Sequence, residues 1–134
     1  MRLSENEARE RFAAARVARL ATVDAAGVPH LVPVTFAVDR GAIVFAVDHK
    51  PKRGTDLRRL RNIAANPSVA FLADAYDEDW ARLWWVRADG FAAVVPGHPV
   101  DALVAKYPQY RERPPEGPVV RTEITGISGW SAAG

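Results

Sequence analysis

The chain contains no cysteine. That removes disulfides, thiolate metal sites, iron–sulfur clusters and cysteine nucleophiles from consideration. No apolar run approaches the roughly 18 residues of a membrane helix. The first residues lack the apolar segment of a secretory signal. The expectation is therefore a protein without membrane association, in the cytoplasm. The net charge of +2 is too small for a protein that coats nucleic acid by bulk electrostatics, so no nucleic-acid partner is expected. Phosphate loops of the GxxxxGK type, GxGxxG turns and GxSxG elbows are all missing. His30, His49 and His98 do not have metal-ligand spacing, and no two carboxylates fall on an evident common face. The acidic run from Asp74 to Trp80 lacks the alternating oxygens of a calcium loop and reads as solvated. The sequence thus holds no self-sufficient catalytic constellation. If the protein is an enzyme, a cofactor carries the chemistry and the protein binds and orients it.

What the chain does have is a concentrated basic stretch. Lys50, Lys52, Arg53, Arg58, Arg59 and Arg61 fall within twelve residues, a third of the 18 basic residues. Two of the three lysines are here, and a lysine ammonium is a compact charge suited to phosphate. The stretch leads into a helix that Thr55 or Asp56 can cap, with Leu57, Leu60, Ile63 and Ala64 as its apolar stripe. Arg58 and Asn62 lie on the opposite face, and Arg59 and Arg61 flank the stripe. Cations before a helix N-terminus, where free N–H groups and the positive dipole end lie, make an anion site.

The remaining pattern is mainly strand. Ser4 and Glu7 form a capping box for a helix to about Ala15, with Ala8 and Phe12 inward. Strands are expected over Val17–Val23, His30–Val38, Ala42–Val47, Ser68–Ala73, Leu83–Ala88, Phe91–Val95 and Val119–Ile127. Turns fall at Asp24–Gly27, Asp39–Gly41 and Asp89-Gly90. Val100–Tyr107 is a short helix, residues 108 to 118 a surface loop, and the tail to Gly134 frays. Pro33 cannot donate to a ladder, so it marks an edge strand or a stretch of backbone that faces a ligand. Trp84 and Trp85 point to opposite faces of their strand. Seven short strands with antiparallel connections and small helices predict an α+β, mainly antiparallel β fold. The sheet closes into a barrel with short peripheral helices, as one domain over residues 1–134.

Two runs carry a more specific likeness: Arg59-Leu60-Arg61-Asn62-Ile63-Ala64-Ala65-Asn66-Pro67-Ser68-Val69 and Trp85-Val86-Arg87-Ala88-Asp89-Gly90. With the order of hairpin, basic loop, helix and strand around them, the chain resembles the pyridoxamine 5′-phosphate oxidase-like split β-barrels. Within these it is similar to the flavin/deazaflavin oxidoreductases of actinobacteria, the group described as F420-dependent. The resemblance runs from about Arg16 to Trp130. It implies an FMN-binding-like split barrel and a homodimer with cofactor sites between the subunits. It implies a phosphate held by Lys50, Lys52, Arg53, Thr55 and Arg59, and a ring bordered by Val32, Pro33, Val34, Thr35, Phe45, Ala46 and Val47. Trp85 stands where the oxidases carry a glutamine against the ring, which argues against pyridoxamine phosphate as substrate. The implied function is reduction of an electron-poor small molecule by hydride from coenzyme F420, with Arg53, Arg58 and Arg61 suited to the carboxylates of its tail. The alternatives are FMN as cofactor, or a carrier or sensor of either cofactor without catalysis.

Overall fold

Strand pairing is antiparallel throughout. The computed structural model describes residues 1–47 and 57–133. Seven strands make one sheet: β1 (Ala18–Val23), β2 (Pro29–Val34), β3 (Ala37–Asp39), β4 (Ala42–Ala46), β5 (Ser68–Ala75), β6 (Trp84–Val94) and β7 (Val119–Ser131). Their order is β2-β1-β5-β6-β7-β4-β3. This is the split-barrel architecture expected from the sequence, although the seven strands are divided differently.

The expected strand His30–Val38 is two strands. The chain leaves one edge of the sheet after Val34 and joins the opposite edge at Ala37. Only Thr35 and Phe36 link them, so the sheet must curl until its two edges approach. Phe36 is fully buried, and no strand ladder serves its backbone. The Tyr107 hydroxyl accepts from the Phe36 N–H at 3.1 Å and lies 2.9 Å from the Phe36 carbonyl and 2.8 Å from that of Arg16, either of which takes its proton. A buried backbone group without a partner would cost about 1–3 kcal/mol, so this hydroxyl holds the crossing in place.

The expected strands around Asp89-Gly90 are a single strand, β6. The dipeptide is a bulge, where the register against β7 jumps from Asp89↔Gly126 to Gly90↔Ile124. Thr125 is the extra residue, and its hydroxyl donates to the Asp89 carbonyl at 3.3 Å. A Cβ on Gly90 would stand 2.2 Å from the Glu123 carbonyl oxygen, so glycine is required by close approach of the backbone. By contrast, Arg40 (φ 53°) and Gly41 (φ 80°) do form a tight turn between β3 and β4. Two successive left-handed residues match the twist of a hairpin.

Helix α1 (Glu5–Ala14) starts on the reciprocal Ser4–Glu7 capping box and places Ala8 and Phe12 in the core. The Ser4 backbone and hydroxyl hold the Glu7 carboxyl below its ordinary pKa. Inside the curl, Phe12 lies 4.7 Å from Phe36 and 6.3 Å from Phe71, and Phe71 lies 6.4 Å from Phe45. Each buried phenyl contributes about 1.5–3 kcal/mol. Val44 and Ala46 point the other way, into a second cluster with Leu103, Tyr107 and Tyr110. Both faces of β4 are thus covered, which explains its unbroken apolar run.

That second cluster also corrects the expected loop over residues 108 to 118. After α3 (Asp101–Lys106) the chain forms another short helix, α4 (Pro108–Glu112). Pro108 sits at the first helical position, where its missing N–H costs nothing, and Tyr110 is buried. The tail does not fray as expected: β7 continues to Ser131. The Leu3 N–H donates to the Gly129 carbonyl at 3.0 Å, and the Ser131 N–H donates to the Met1 carbonyl at 2.9 Å.

Helix α2 (Arg58–Ala65) begins after Leu57, which offers no side-chain cap. The expected caps, Thr55 and Asp56, lie outside the described residues. Its inner face differs from the expected stripe: Asn62 is buried and Ala64 exposed. Asn62 is inside because its amide donates to the buried Thr22 hydroxyl at 3.0 Å, which fastens the helix to β1.

Candidate functional site

A cleft of about 250 Å³ opens where the two edges of the sheet approach. One wall is Pro33, Val34 and Thr35, the end of edge strand β2. The other is Phe45, Ala46 and Val47, the end of β4. Val17, Leu57, Arg59 and Tyr110 complete it. Pro33 sits in an edge strand, opposite Arg19 of β1, as one of the two expectations had it, and it lines the cleft. The Val47 N–H donates to the Pro118 carbonyl at 3.0 Å, carrying the β4–β7 pairing one step past the strand. Gly117 packs so closely there that a Cβ would lie 2.6 Å from the Val47 carbonyl oxygen.

Arg59 supplies the charge. It is half-buried on the first turn of α2, and the Asn62–Thr22 bond two positions on from Leu60 sets the angle of that turn against β1. Neighbouring Arg58 points out, toward Asp24 at 3.9 Å. Asp24 itself accepts from the N–H groups of Val28 and Ala26, both at 2.9 Å, which lower its pKa and shape the β1–β2 turn. His30 lies beside this group. Burial, then Arg58 and Arg59, push its pKa down, so the neutral imidazole is favoured. The hydroxyls of Thr35 and Tyr110, which also line the cleft, meet at 3.2 Å.

Seven expected ring- or phosphate-contacting residues therefore share one cleft: Pro33, Val34, Thr35, Phe45, Ala46, Val47 and Arg59. Val32 does not line it and packs against the core instead. Trp85 does not line it either. It pairs with Asp74 and Trp130 on the outer face of the sheet, the face that also carries the exposed Leu72 and Phe91. Lys50, Lys52, Arg53 and Thr55 lie outside the described residues. Val17, Leu57 and Tyr110 were not expected as lining residues. The signal for Tyr110 was present as Tyr107-Pro108-Gln109-Tyr110, two aromatics at helical spacing across a proline fit for a helix start. Among the described residues no group of three or more acids and histidines could hold a metal, and no helix is long and apolar enough to cross a membrane.

The pyridoxamine 5′-phosphate oxidase family model matches residues 4–131, and the chain belongs to that family. Over 61 residues it is 46% identical to the 5a,11a-dehydrotetracycline/5a,11a-dehydrooxytetracycline reductase of Streptomyces rimosus subsp. rimosus. That match covers 42% of this chain and only 38% of the reductase. Among solved structures, the FAD binding protein from Mycobacterium smegmatis superposes with a TM-score of 0.66 at 26% identity, over 97% of both chains. A conserved hypothetical protein from Mycobacterium tuberculosis superposes with a TM-score of 0.77 at 22% identity, over 97% of this chain and 86% of the other.

The cleft suits a flavin-type group. Its walls are two strand ends with apolar side chains, fit for a planar ring, and Arg59 stands at the helix side, fit for an anionic substituent.

Proposed function

We propose that the protein is a cofactor-dependent oxidoreductase that reduces an electron-poor small molecule, with coenzyme F420 as its cofactor. The observation that carries this is the convergence of β2, β4 and α2 on one cleft with largely apolar strand ends and a guanidinium. Family membership and the reductase name of the partial relative support the reductive direction. The bound cofactor would supply the hydride. Pro33 to Thr35 and Phe45 to Val47 would hold the ring and keep water from it. Arg59 would grip the phosphate, with Lys50, Lys52, Arg53 and Thr55 completing that grip. The working unit is a homodimer: the outer face bearing Leu72, Trp85, Phe91 and Trp130 is the surface offered to the second subunit, and through it Trp85 would reach the partner's site. FMN is the alternative cofactor, favoured by the FAD binding protein among the solved relatives. A carrier or sensor without catalysis would bind as well but leave reduced cofactor unoxidised by enones, quinones and nitro compounds.

Titration of the purified protein with coenzyme F420 and with FMN, followed by cofactor fluorescence, tests the reading. Saturable binding is expected, about tenfold weaker in Arg59→Ala as one charge-assisted contact is lost. Light scattering on the same sample should give twice the chain mass. Absence of saturable binding of either cofactor would sink the proposal.

A further inference from the structure

A second cleft, of about 440 Å³, adjoins the first. It is lined by Arg16, Val17, Thr35, Tyr107, Gln109 and Tyr110, and it shares Val17, Thr35 and Tyr110 with its neighbour. Beyond these shared residues, the first cleft adds mainly apolar strand ends and Arg59, whereas this one adds the Arg16 guanidinium, the Tyr107 phenol and the Gln109 amide.

Arg16 is held ready rather than loose. Its Nη2 donates to the Lys106 carbonyl at 2.9 Å, and its guanidinium lies 4.8 Å from the centre of the Tyr107 ring. One of five N–H donors is committed to the backbone, which leaves the planar fork largely available. A second cation stands behind it. The Lys106 ammonium donates to the Ala15 carbonyl at 2.7 Å and rests 3.9 Å from the Phe36 ring centre. Neither cation has a carboxylate partner among the described residues. Burial, and after it the charge of Arg16, bring the Lys106 pKa down to about 8. Two like charges beside a partly desolvated cleft favour an anion in it.

We propose that this second cleft is the substrate subsite, and that it takes a planar, electron-poor compound bearing an anionic oxygen, a carboxylate or an acidic enol, held by the Arg16 guanidinium. The inference rests on the cofactor reading of the first cleft, because the wall the two clefts share sets such a compound beside Pro33 to Thr35. The Lys106 ammonium is engaged with Ala15, so it strengthens the field without contacting the ligand. Thr35 and Tyr110, between the two clefts, touch both occupants.

Cinnamate and cinnamamide test this, since they share shape and conjugation and differ in the anionic oxygen. Calorimetric titration of the full chain should show cinnamate binding about tenfold more tightly, the effect of one charge-assisted pair. Arg16→Gln should abolish the preference. Gln109→Glu adds a negative charge without touching the Arg16–Tyr107 stack; it should weaken cinnamate several-fold and spare cinnamamide, and it decides the matter should Arg16→Gln fail to fold. Equal affinities in the wild type, binding of neither probe, or a preference that survives in folded Arg16→Gln would each overturn the proposal. Fluorescence titration of Arg16→Gln with coenzyme F420 and FMN should match the wild type. If neither cofactor binds the wild type while the Arg16-dependent preference stands, the cofactor reading alone has failed.

Discussion

Gly90 and Gly126 both lie at the β6–β7 bulge, and their surroundings separate them. A Cβ on Gly90 would meet the Glu123 carbonyl oxygen at 2.2 Å, and backbone there cannot yield; nothing lies within 4 Å of a Cβ on Gly126. Gly90→Ala should therefore cost about 3 kcal/mol, and Gly126→Ala no more than about 0.5 kcal/mol, in urea unfolding curves. The same residue shows where local reading fails. Asp-Gly is a strong turn signal, yet here the pair is a bulge, because β7 runs alongside and supplies Thr125 as the extra residue. Nothing within a few residues of Gly90 encodes a partner more than thirty positions away. Pro33 was legible for the opposite reason: its missing N–H is a property of the residue itself, and it restricts the strand to an edge wherever that edge lies.

Among the elements, α2 carries the clearest energetic argument. Its contact with β1 runs through one buried polar pair, the Asn62 amide on the Thr22 hydroxyl. Thr22→Val alone should cost about 1–3 kcal/mol, because the amide is left buried without its acceptor, whereas Thr22→Val with Asn62→Leu should recover most of that loss. A double-mutant cycle by thermal or chemical unfolding measures the difference. The helix was readable from its period and from Asn66-Pro67, but its inward asparagine was not. Polarity alone places Asn outside, and only the hydroxyl waiting on β1 reverses that. Helix α4 was missed for a related reason. Five residues are too few for a period to stand out beyond the Tyr107–Tyr110 spacing, and the burial of Tyr110 against β4 and β7 makes up the difference. The cleft residues on strands were legible through the family likeness, whereas Arg16, between α1 and β1 and fixed by the Lys106 carbonyl ninety residues away, was not.

For the whole molecule, Lys106 sets a pH dependence. Its pKa falls from 10.5 in the unfolded chain to about 8 in the fold, with burial as the main cause. Between those values the unfolded chain holds a proton that the folded protein has released, so stability rises with pH across that window. The stability of the wild type relative to Lys106→Met should therefore increase from about pH 8 to about pH 10, as followed by chemical unfolding. Partial exposure of the side chain keeps the effect modest. Burial raises the pKa of Tyr107 from its ordinary 10, so its opposing contribution falls above this range.

The link through Thr35 and Phe36 has a mechanical consequence. Its two residues join strands that stand six interstrand steps apart, from β2 through β1, β5, β6, β7 and β4 to β3. Each step contributes its own small rotation to the curl. The gap between the last strands is the sum of all of them, much as the opening of a rolled strip depends on its curvature at every point. A repacked side chain that alters the rotation between β5 and β6 would thus widen or narrow the space beside Pro33 without coming near it. The breadth of the ligand site is in this sense a property of the entire sheet, adjustable from positions that no ligand touches.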